Sequence, residues 1–252
     1  MVNAATQAAV FRAMHAPGSP GFVLGNVSTP GLARMLQGQG YEALGTTSAG
    51  FADDLGLSDG EPDAEALLLK AGAIAQAVDL PVSADLENGR GAAVEEVEAF
   101  YRRAAQMGLA GASIEDSIAT DAALFTIEDA VGRVAAALRG ARGICTDFVL
   151  TARTEIFQSP KPDLGEAIAR LQAYEAAGAD VLFVPGLPLD ALDTVLSAIS
   201  RPLNVLMNPA HAAGFADLFD RGVTRISLGA GLSRAARRAA SDAAAAALGG
   251  RP

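Results

Sequence analysis

Three short runs near the middle of this 252-residue chain end in groups that bind charge. They are Val82-Ser83-Ala84-Asp85-Leu86-Glu87, Ala112-Ser113-Ile114-Glu115-Asp116 and Leu150-Thr151-Ala152-Arg153-Thr154-Glu155. Each starts apolar, as a buried strand does, and finishes in carboxylates or a guanidinium. A carboxylate taken out of water unpaired costs several kcal/mol even after relaxation, so these acids must meet a cation, a partner or water. If the runs are neighbouring parallel strands, their ends share one rim. The acids of these ends, Asp85, Glu87, Glu115, Asp116 and Glu155, then offer hard oxygens that suit Mg2+, or Mn2+ in its place, because Mg2+ takes one or two carboxylates and keeps several waters. Arg153 beside them suits a carboxylate substrate. Residues two apart on a strand share a face, so Asp85 is expected to project with Glu87, and Arg153 with Glu155. Zinc is disfavoured, since His15 and His211 are the only histidines and no Cys/His cluster accompanies them.

A second cluster runs from Thr46 through Thr47, Ser48, Ala49 and Gly50 to Asp59 and Gly60. Small residues at a strand end leave backbone N–H groups open to an anionic oxygen. Thr46, Ser48, Ala49 and Gly50 are therefore candidate substrate-binding residues. Asp59 lies in a Ser-Asp-Gly turn; it is a turn former, or a candidate base if the site assembles next to it. Asn26, Asn208 and Ser227 complete the polar strand ends, and Asn208, with Asp85 and Arg153, is also a candidate substrate-binding residue. Plainer readings stand beside these: Glu115-Asp116 as a helix cap, Arg153 and Glu155 as a local salt bridge. His211 reads as a helix start, Cys145 as a small filler, and Arg234, Arg237 and Arg238 as a solvated face or subunit contact.

Composition narrows the class. Half the residues are apolar, enough for a large core, and the net charge is −10 with no basic stripe, which argues against nucleic acid. Lys70 and Lys161 are the only lysines and fall in helix or loop contexts, so a lysine Schiff base is not expected. The single cysteine excludes an internal disulfide. No apolar stretch approaches the ~20 residues of a membrane span. Met1 to His15 reads as an amphipathic helix without the basic start of a signal peptide, and a cytoplasmic location is expected.

The elements that must position these groups repeat one phrase: a helix, a glycine, then a short apolar run. Gly40, Gly108, Gly178 and Gly222 fill the glycine position, which closes a helix in left-handed conformation. Eight strands are expected, at about 22–27, 43–48, 82–87, 111–116, 148–155, 181–186, 203–208 and 224–229. Helices fill the gaps, at about 30–39, 63–78, 92–107, 127–139, 163–177, 189–199, 211–221 and 232–247. Eight βα units predict an α/β fold, a (β/α)8 barrel forming one domain over 1–252, with an extra N-terminal helix. A doubly wound open sheet is the rival. No Gly-x-Gly-x-x-Gly follows a strand, which lowers its dinucleotide-binding form.

Gly45-Thr46-Thr47-Ser48-Ala49-Gly50, Leu55 to Gly60, Val82 to Gly89, Ile114-Glu115-Asp116, Thr151 to Glu155, Ala176 to Asp180 and Leu203 to Asn208 together resemble the isocitrate lyase/phosphoenolpyruvate mutase superfamily. The resemblance spans about residues 20 to 230. It implies a barrel that binds Mg2+, with Asp85 the nearest ligand and Glu87 and Glu115 acting largely through waters. It implies that Ser48 and the Ala49-Gly50 backbone hold a 2-oxo carboxylate with Arg153 opposite, and that Asp59 lies by the reacting bond. It also implies a homo-oligomer, tetramer or dimer, in which the last helix packs on a neighbouring subunit.

Departures from the family pattern matter. Isocitrate and methylisocitrate lyases carry a Lys-Lys/Arg-Cys-Gly-His loop after the fourth strand, whereas Ser117 to Phe125 here holds no Cys, His or Lys, so neither activity is assigned. The phosphonate enzymes usually place a tryptophan before the serine of the oxyanion segment, and this chain has none. The expected function is a Mg2+-dependent lyase cleaving a C–C bond in a small 2-oxo or 2-hydroxy di- or tricarboxylate through a pyruvate-type enolate. Alternatives are a P–C bond enzyme of phosphonopyruvate type, a catalytically silent 2-oxo acid binder, and a class II aldolase-like metal barrel. A lid at about 117–126 is expected to set specificity.

Overall fold

The computed structural model describes residues 4–118 and 123–249. Eight parallel strands close into a barrel: β1 (Phe22–Val27), β2 (Leu44–Thr46), β3 (Val82–Asp85), β4 (Gly111–Glu115), β7 (Val149–Arg153), β8 (Val181–Phe183), β9 (Leu203–Leu206) and β10 (Arg225–Ser227). The order around the barrel is β1-β10-β9-β8-β7-β4-β3-β2, so the open-sheet rival falls. Two residues each from β5 (Ser117–Ile118) and β6 (Ala123–Leu124) pair antiparallel just after β4. These are the arms of the expected lid; its tip, 119–122, lies outside the described residues.

Continuous apolar runs suit strands covered on their outer face by helices. The helices are α1 (Ala4–Ala13), α2 (Pro30–Gly38), α3 (Ser48–Leu55), α4 (Ala64–Gln76), α5 (Val94–Gln106), α6 (Ile127–Arg142), α7 (Leu164–Ala176), α8 (Leu192–Ala198), α9 (Phe215–Asp220) and α10 (Gly231–Gly249). Their starts follow side-chain chemistry: Thr29, Thr47, Asp63, Thr126 and Asp163 each accept a backbone N–H from the first turn they precede. Gly40, Gly108, Gly178 and Gly222 all have positive φ, as the helix-closing position requires. At Gly140 a methyl group would come within 2.0 Å of the Glu98 carbonyl, so glycine is what lets α6 approach α5.

The extra N-terminal helix closes one mouth of the barrel. Ala8 and Phe11 of α1 pack with Phe22, Leu24, Ala110, Val149 and Val181, near the strand starts. The opposite mouth, at the strand ends, is left to the polar groups. Beyond Ser233, α10 is exposed along its described length. No helix among the described residues is long and apolar enough to cross a membrane.

Three local expectations need correction. Ser48 does not end a strand; it opens α3, because Thr47 caps that turn. The helix expected over 211–221 is a 3-10 turn, Pro209–Gly214, followed by α9, with His211 at φ −103 and ψ 21 in the break. β3 and β7 stop at Asp85 and Arg153, two residues early. Glu87 has φ +51 and Glu155 has φ −90, ψ 21, so neither continues its strand's alternation.

Candidate functional site

Register brings the charged strand ends together. Asp85 is the Cα partner of Ser113, and Glu115 that of Arg153, so β3, β4 and β7 deliver their last residues to one rim. The Arg153 guanidinium lies among three acids. Its Nη1 is 3.2 Å from Glu115 Oε2 and 3.6 Å from Asp85 Oδ1, and its Nε donates to Glu155. The guanidinium also lies 5.4 Å from the centre of the Phe183 ring, within cation–π range. Burial alone would lower the Arg153 pKa, but Glu115, Glu155 and Asp85 together raise it. Arg153 and Glu155 therefore do meet, through the turn that ends β7.

Asp85 is held from the second cluster. Its backbone N–H donates to Thr46 Oγ1 at 2.9 Å, and its Oδ2 accepts the Ser48 N–H at 3.2 Å and the Ser48 hydroxyl at 2.9 Å. Thr46, Ser48 and Ala49 line a cavity of about 250 Å3 with Asp59, Asp85 and Arg153. Gly50 does not line it; its N–H donates to Thr47 Oγ1 and its backbone abuts Ser233. A second cavity of about 240 Å3 shares Ser48, Asp59, Arg153 and Gln158, and adds Glu87, Glu115 and Glu155. Asn208 is a correction: it is exposed and caps the 3-10 turn, accepting the Ala210 N–H at 2.9 Å, and it lines neither cavity. The chain turns at that point, so the side chain serves the turn.

The acids feel one another. Burial, reinforced by Asp85, Glu115 and Asp59 and opposed by Arg90, raises Glu87 to about 8. Glu115 is raised by burial and by Asp85 against the pull of Arg153. Glu155 is pushed up to about 7 by burial, with Glu115 adding to it and Arg153 opposing it. Asp59 stands exposed at the cavity mouth, yet partial desolvation and the Asp85 charge raise its pKa, while a Ser48 hydrogen bond pulls it down. Carboxylates gathered this way ask for positive charge.

Asp116 turns away from the cavities. Its Oδ1 accepts the Glu155 N–H at 2.9 Å, and its Oδ2 accepts the Tyr174 hydroxyl at 2.6 Å and Arg170 Nη1 at 3.1 Å. Arg170 also donates to the Phe125 carbonyl, tying the hairpin to the same brace. Arg90 is a further tie: it pairs with Glu87 and donates to the Gly60 carbonyl at 2.9 Å, next to Asp59. Cys145 is half-buried and packs against the core.

A divalent cation suits this donor set. Five carboxyl groups (Asp59, Asp85, Glu87, Glu115, Glu155) line the two cavities, with Arg153, Arg225 and Arg234 also on their walls and Arg90 paired to Glu87 behind them. Among the described residues Glu87 Oε1 is buried without a hydrogen-bond partner, an orphan that an ion or its water would satisfy. Among the described residues no three His, Cys, Asp or Glu converge on one point, because the Arg153 guanidinium separates Asp85 from Glu115. Asp85, Glu87 and Glu115 carry oxygens at this rim that could take part in holding a cation, but they are not gathered into a formed site.

Comparison with known proteins identifies the family. The family model for phosphoenolpyruvate phosphomutase matches residues 11–248. A solved structure from Burkholderia cenocepacia J2315, provisionally assigned as a lyase/mutase, superposes with a TM-score of 0.89 at 41% identity, covering 96% of this chain and 88% of that one. A phosphoenolpyruvate phosphomutase from Streptomyces platensis subsp. rosaceus superposes at 0.86 with 28% identity, covering 96% and 87%. Oxaloacetate decarboxylase of Rhodopseudomonas palustris strain TIE-1 is 31% identical over 214 residues, 73% of this chain and 69% of that protein.

Proposed function

This chain belongs to the phosphoenolpyruvate mutase/isocitrate lyase superfamily, and from that membership we propose that it is a Mg2+-dependent lyase cleaving a C–C bond in a small 2-oxo or 2-hydroxy di- or tricarboxylate. Decarboxylation of an oxaloacetate-like acid is the form its residues suit best. The observation that carries the reading is the ring of Asp85, Glu115 and Glu155 around Arg153, set beside the Ser48 turn and Asp59.

Asp85, with Glu87 and Glu115, would hold the ion; when bound, Mg2+ supplies Lewis-acid stabilisation of the charge that develops on the substrate's oxo oxygen. Ser48 fixes the Asp85 carboxylate through two hydrogen bonds, so the metal ligand is oriented before substrate arrives. Ala49, on the cavity wall at the start of α3, offers backbone to a carboxylate, and Arg153 pairs the charge from the opposite side. Neither contact alone accelerates anything. What counts is that Arg153 binds charge more strongly once the bond has broken.

Asp59 is raised in pKa and stands at the mouth of both cavities, so it can carry a proton to the carbon that keeps the bonding electron pair. Loss of CO2 needs no proton on the leaving group. That fits a hairpin stretch, Ser117 to Phe125, without Cys, His or Lys. Cleavage of isocitrate or methylisocitrate, which in the related lyases calls on a cysteine there, fits less well.

The test is a panel of 13C-labelled 2-oxo and 2-hydroxy diacids, with phosphonopyruvate, incubated with Mg2+-loaded protein and followed by NMR. Appearance of pyruvate or another 2-oxo product supports the reading. Inorganic phosphate from phosphonopyruvate would move it to P–C chemistry, and saturable binding without product would leave a silent binder.

A further inference from the structure

The interior below the rim holds a charge that the rim chemistry does not use. Arg225 opens β10 and is 3% exposed. Its Nε donates to Asn204 Oδ1 at 2.8 Å, its Nη2 to Thr151 Oγ1 at 2.9 Å, and its Nη1 stands 3.4 Å from His15 Nε2. All three partners are neutral. His15 stays so because burial, and then Arg225, push its pKa down to about 3. Among the described residues no carboxylate pairs with Arg225, whereas Arg153, which lines the same cavity, has three. Burial with no anion to offset it lowers Arg225 to about 9.

A buried guanidinium supplied only with neutral acceptors is incompletely compensated, and an anion is what it lacks. Its surroundings are built for one. Barrels of this class usually fill their interior with branched apolar side chains. Here Ser83, Ser113, Asn204 and Ser227 join Arg225 on the cavity wall. The upper part of the cavity carries acids and arginines together (Asp59, Asp85, Arg153, Arg234), whereas Arg225 is the cation at its floor and has no carboxylate beside it among the described residues. Thr151, which accepts from Arg225, lies two residues before Arg153 on the same face of β7, so floor and rim are one layer apart, about 7 Å along the strand.

We propose that the floor of the cavity is an anion subsite in which Arg225, with Asn204 and Ser227 beside it, takes the substrate carboxylate remote from the bond that breaks. Selection for dicarboxylates then comes from the barrel interior as well as from the hairpin above it. Which diacid is bound rests on the lyase reading; that a second carboxylate is bound there does not. A monoacid of equal length would leave Arg225 as it stands now, without an anion.

The experiment compares succinate with butyrate, which differ in the second carboxylate, by calorimetry at saturating Mg2+. It uses the full chain as wild type, Arg225→Met and Arg225→Lys. Wild type should prefer succinate by at least about tenfold, R225M should erase that preference through weaker succinate binding, and R225K should keep part of it. With a diacid that is turned over, R225M should raise KM about tenfold with a smaller change in kcat. An unchanged succinate-to-butyrate ratio in R225M overturns the proposal, including the case in which the variant merely melts earlier. Should R225M not fold, a wild-type crystal soaked in succinate decides: a carboxylate oxygen within hydrogen-bond reach of Arg225 supports it, and both carboxylates at the rim refute it. An Arg225-dependent preference in a protein that cleaves no C–C bond would sink the lyase reading and spare this one, while cleavage with an Arg225-independent preference would do the reverse.

Discussion

Glu115 and Arg153 are Cα partners across β4 and β7, and their charged ends stand 3.2 Å apart at the rim of the barrel. That single pairing places an acid of the candidate metal site and the candidate carboxylate clamp within one hydrogen bond of each other. Arg153 therefore has two tasks. It compensates the acids in the structure, and under the proposed reading it would also face the substrate carboxylate.

Replacing Arg153 separates those tasks. Arg153→Lys keeps the charge but loses the planar fork, so kcat/KM for a 2-oxo acid should fall by about 100-fold or more. Arg153→Ala leaves Glu115, Glu155 and Asp85 without their cation and should lower stability by about 3 kcal/mol. Denaturant melts and steady-state kinetics read the two effects independently.

The Asp116 brace should be structural first. It is 1% exposed and binds Arg170, Tyr174 and the Glu155 backbone. Asp116→Asn breaks a buried ion pair and should cost about 3 kcal/mol, or roughly 6–12 °C in Tm for a domain of this size. Because the brace sets the turn carrying Glu155, kcat should fall more than KM rises. Calorimetric melting and saturation kinetics check both.

Stability of the metal-free protein should depend on pH through Glu155. Its folded pKa, about 7, is above the ordinary carboxylate value, so the folded state binds this proton more tightly than the unfolded state does. The stabilisation is complete below about pH 4.5 and is lost as pH rises through about 7. Glu155→Gln cannot titrate and should flatten that part of the Tm–pH curve. An identical slope in the variant would assign the pH dependence to other groups.

Much of this was legible in the chain itself. The glycine that closes each helix and the apolar run that follows exposed the βα repeat, and the closed parallel barrel carries it out. Asp85, Glu115 and Arg153 are legible because each closes an apolar run, and a parallel barrel brings its strand ends to one rim. Glu87 and Glu155 stand in the same runs, but turns, not pleat alternation, aim them. Asn208 is not legible as a cap, because Asn-Pro reads equally as a strand end and as the start of a short turn. Arg225 starts a strand, so a rule that looks to strand ends passes over it. The signal was available in Arg225-Ile226-Ser227, where a charge and a hydroxyl two apart share one face of a buried strand. Its neutral partners Asn204, Thr151 and His15 lie 21, 74 and 210 residues away, and no local pattern announces them.

The most direct test is a calorimetric titration of Mg2+ into wild type and Asp85→Asn, each with and without oxalate, whose adjacent carboxylates imitate a planar 2-oxo acid. Wild type should bind Mg2+, and bind it more tightly with oxalate present, while Asp85→Asn should lose both effects. Binding that is the same in the variant, or no binding by wild type even with oxalate, would contradict the account.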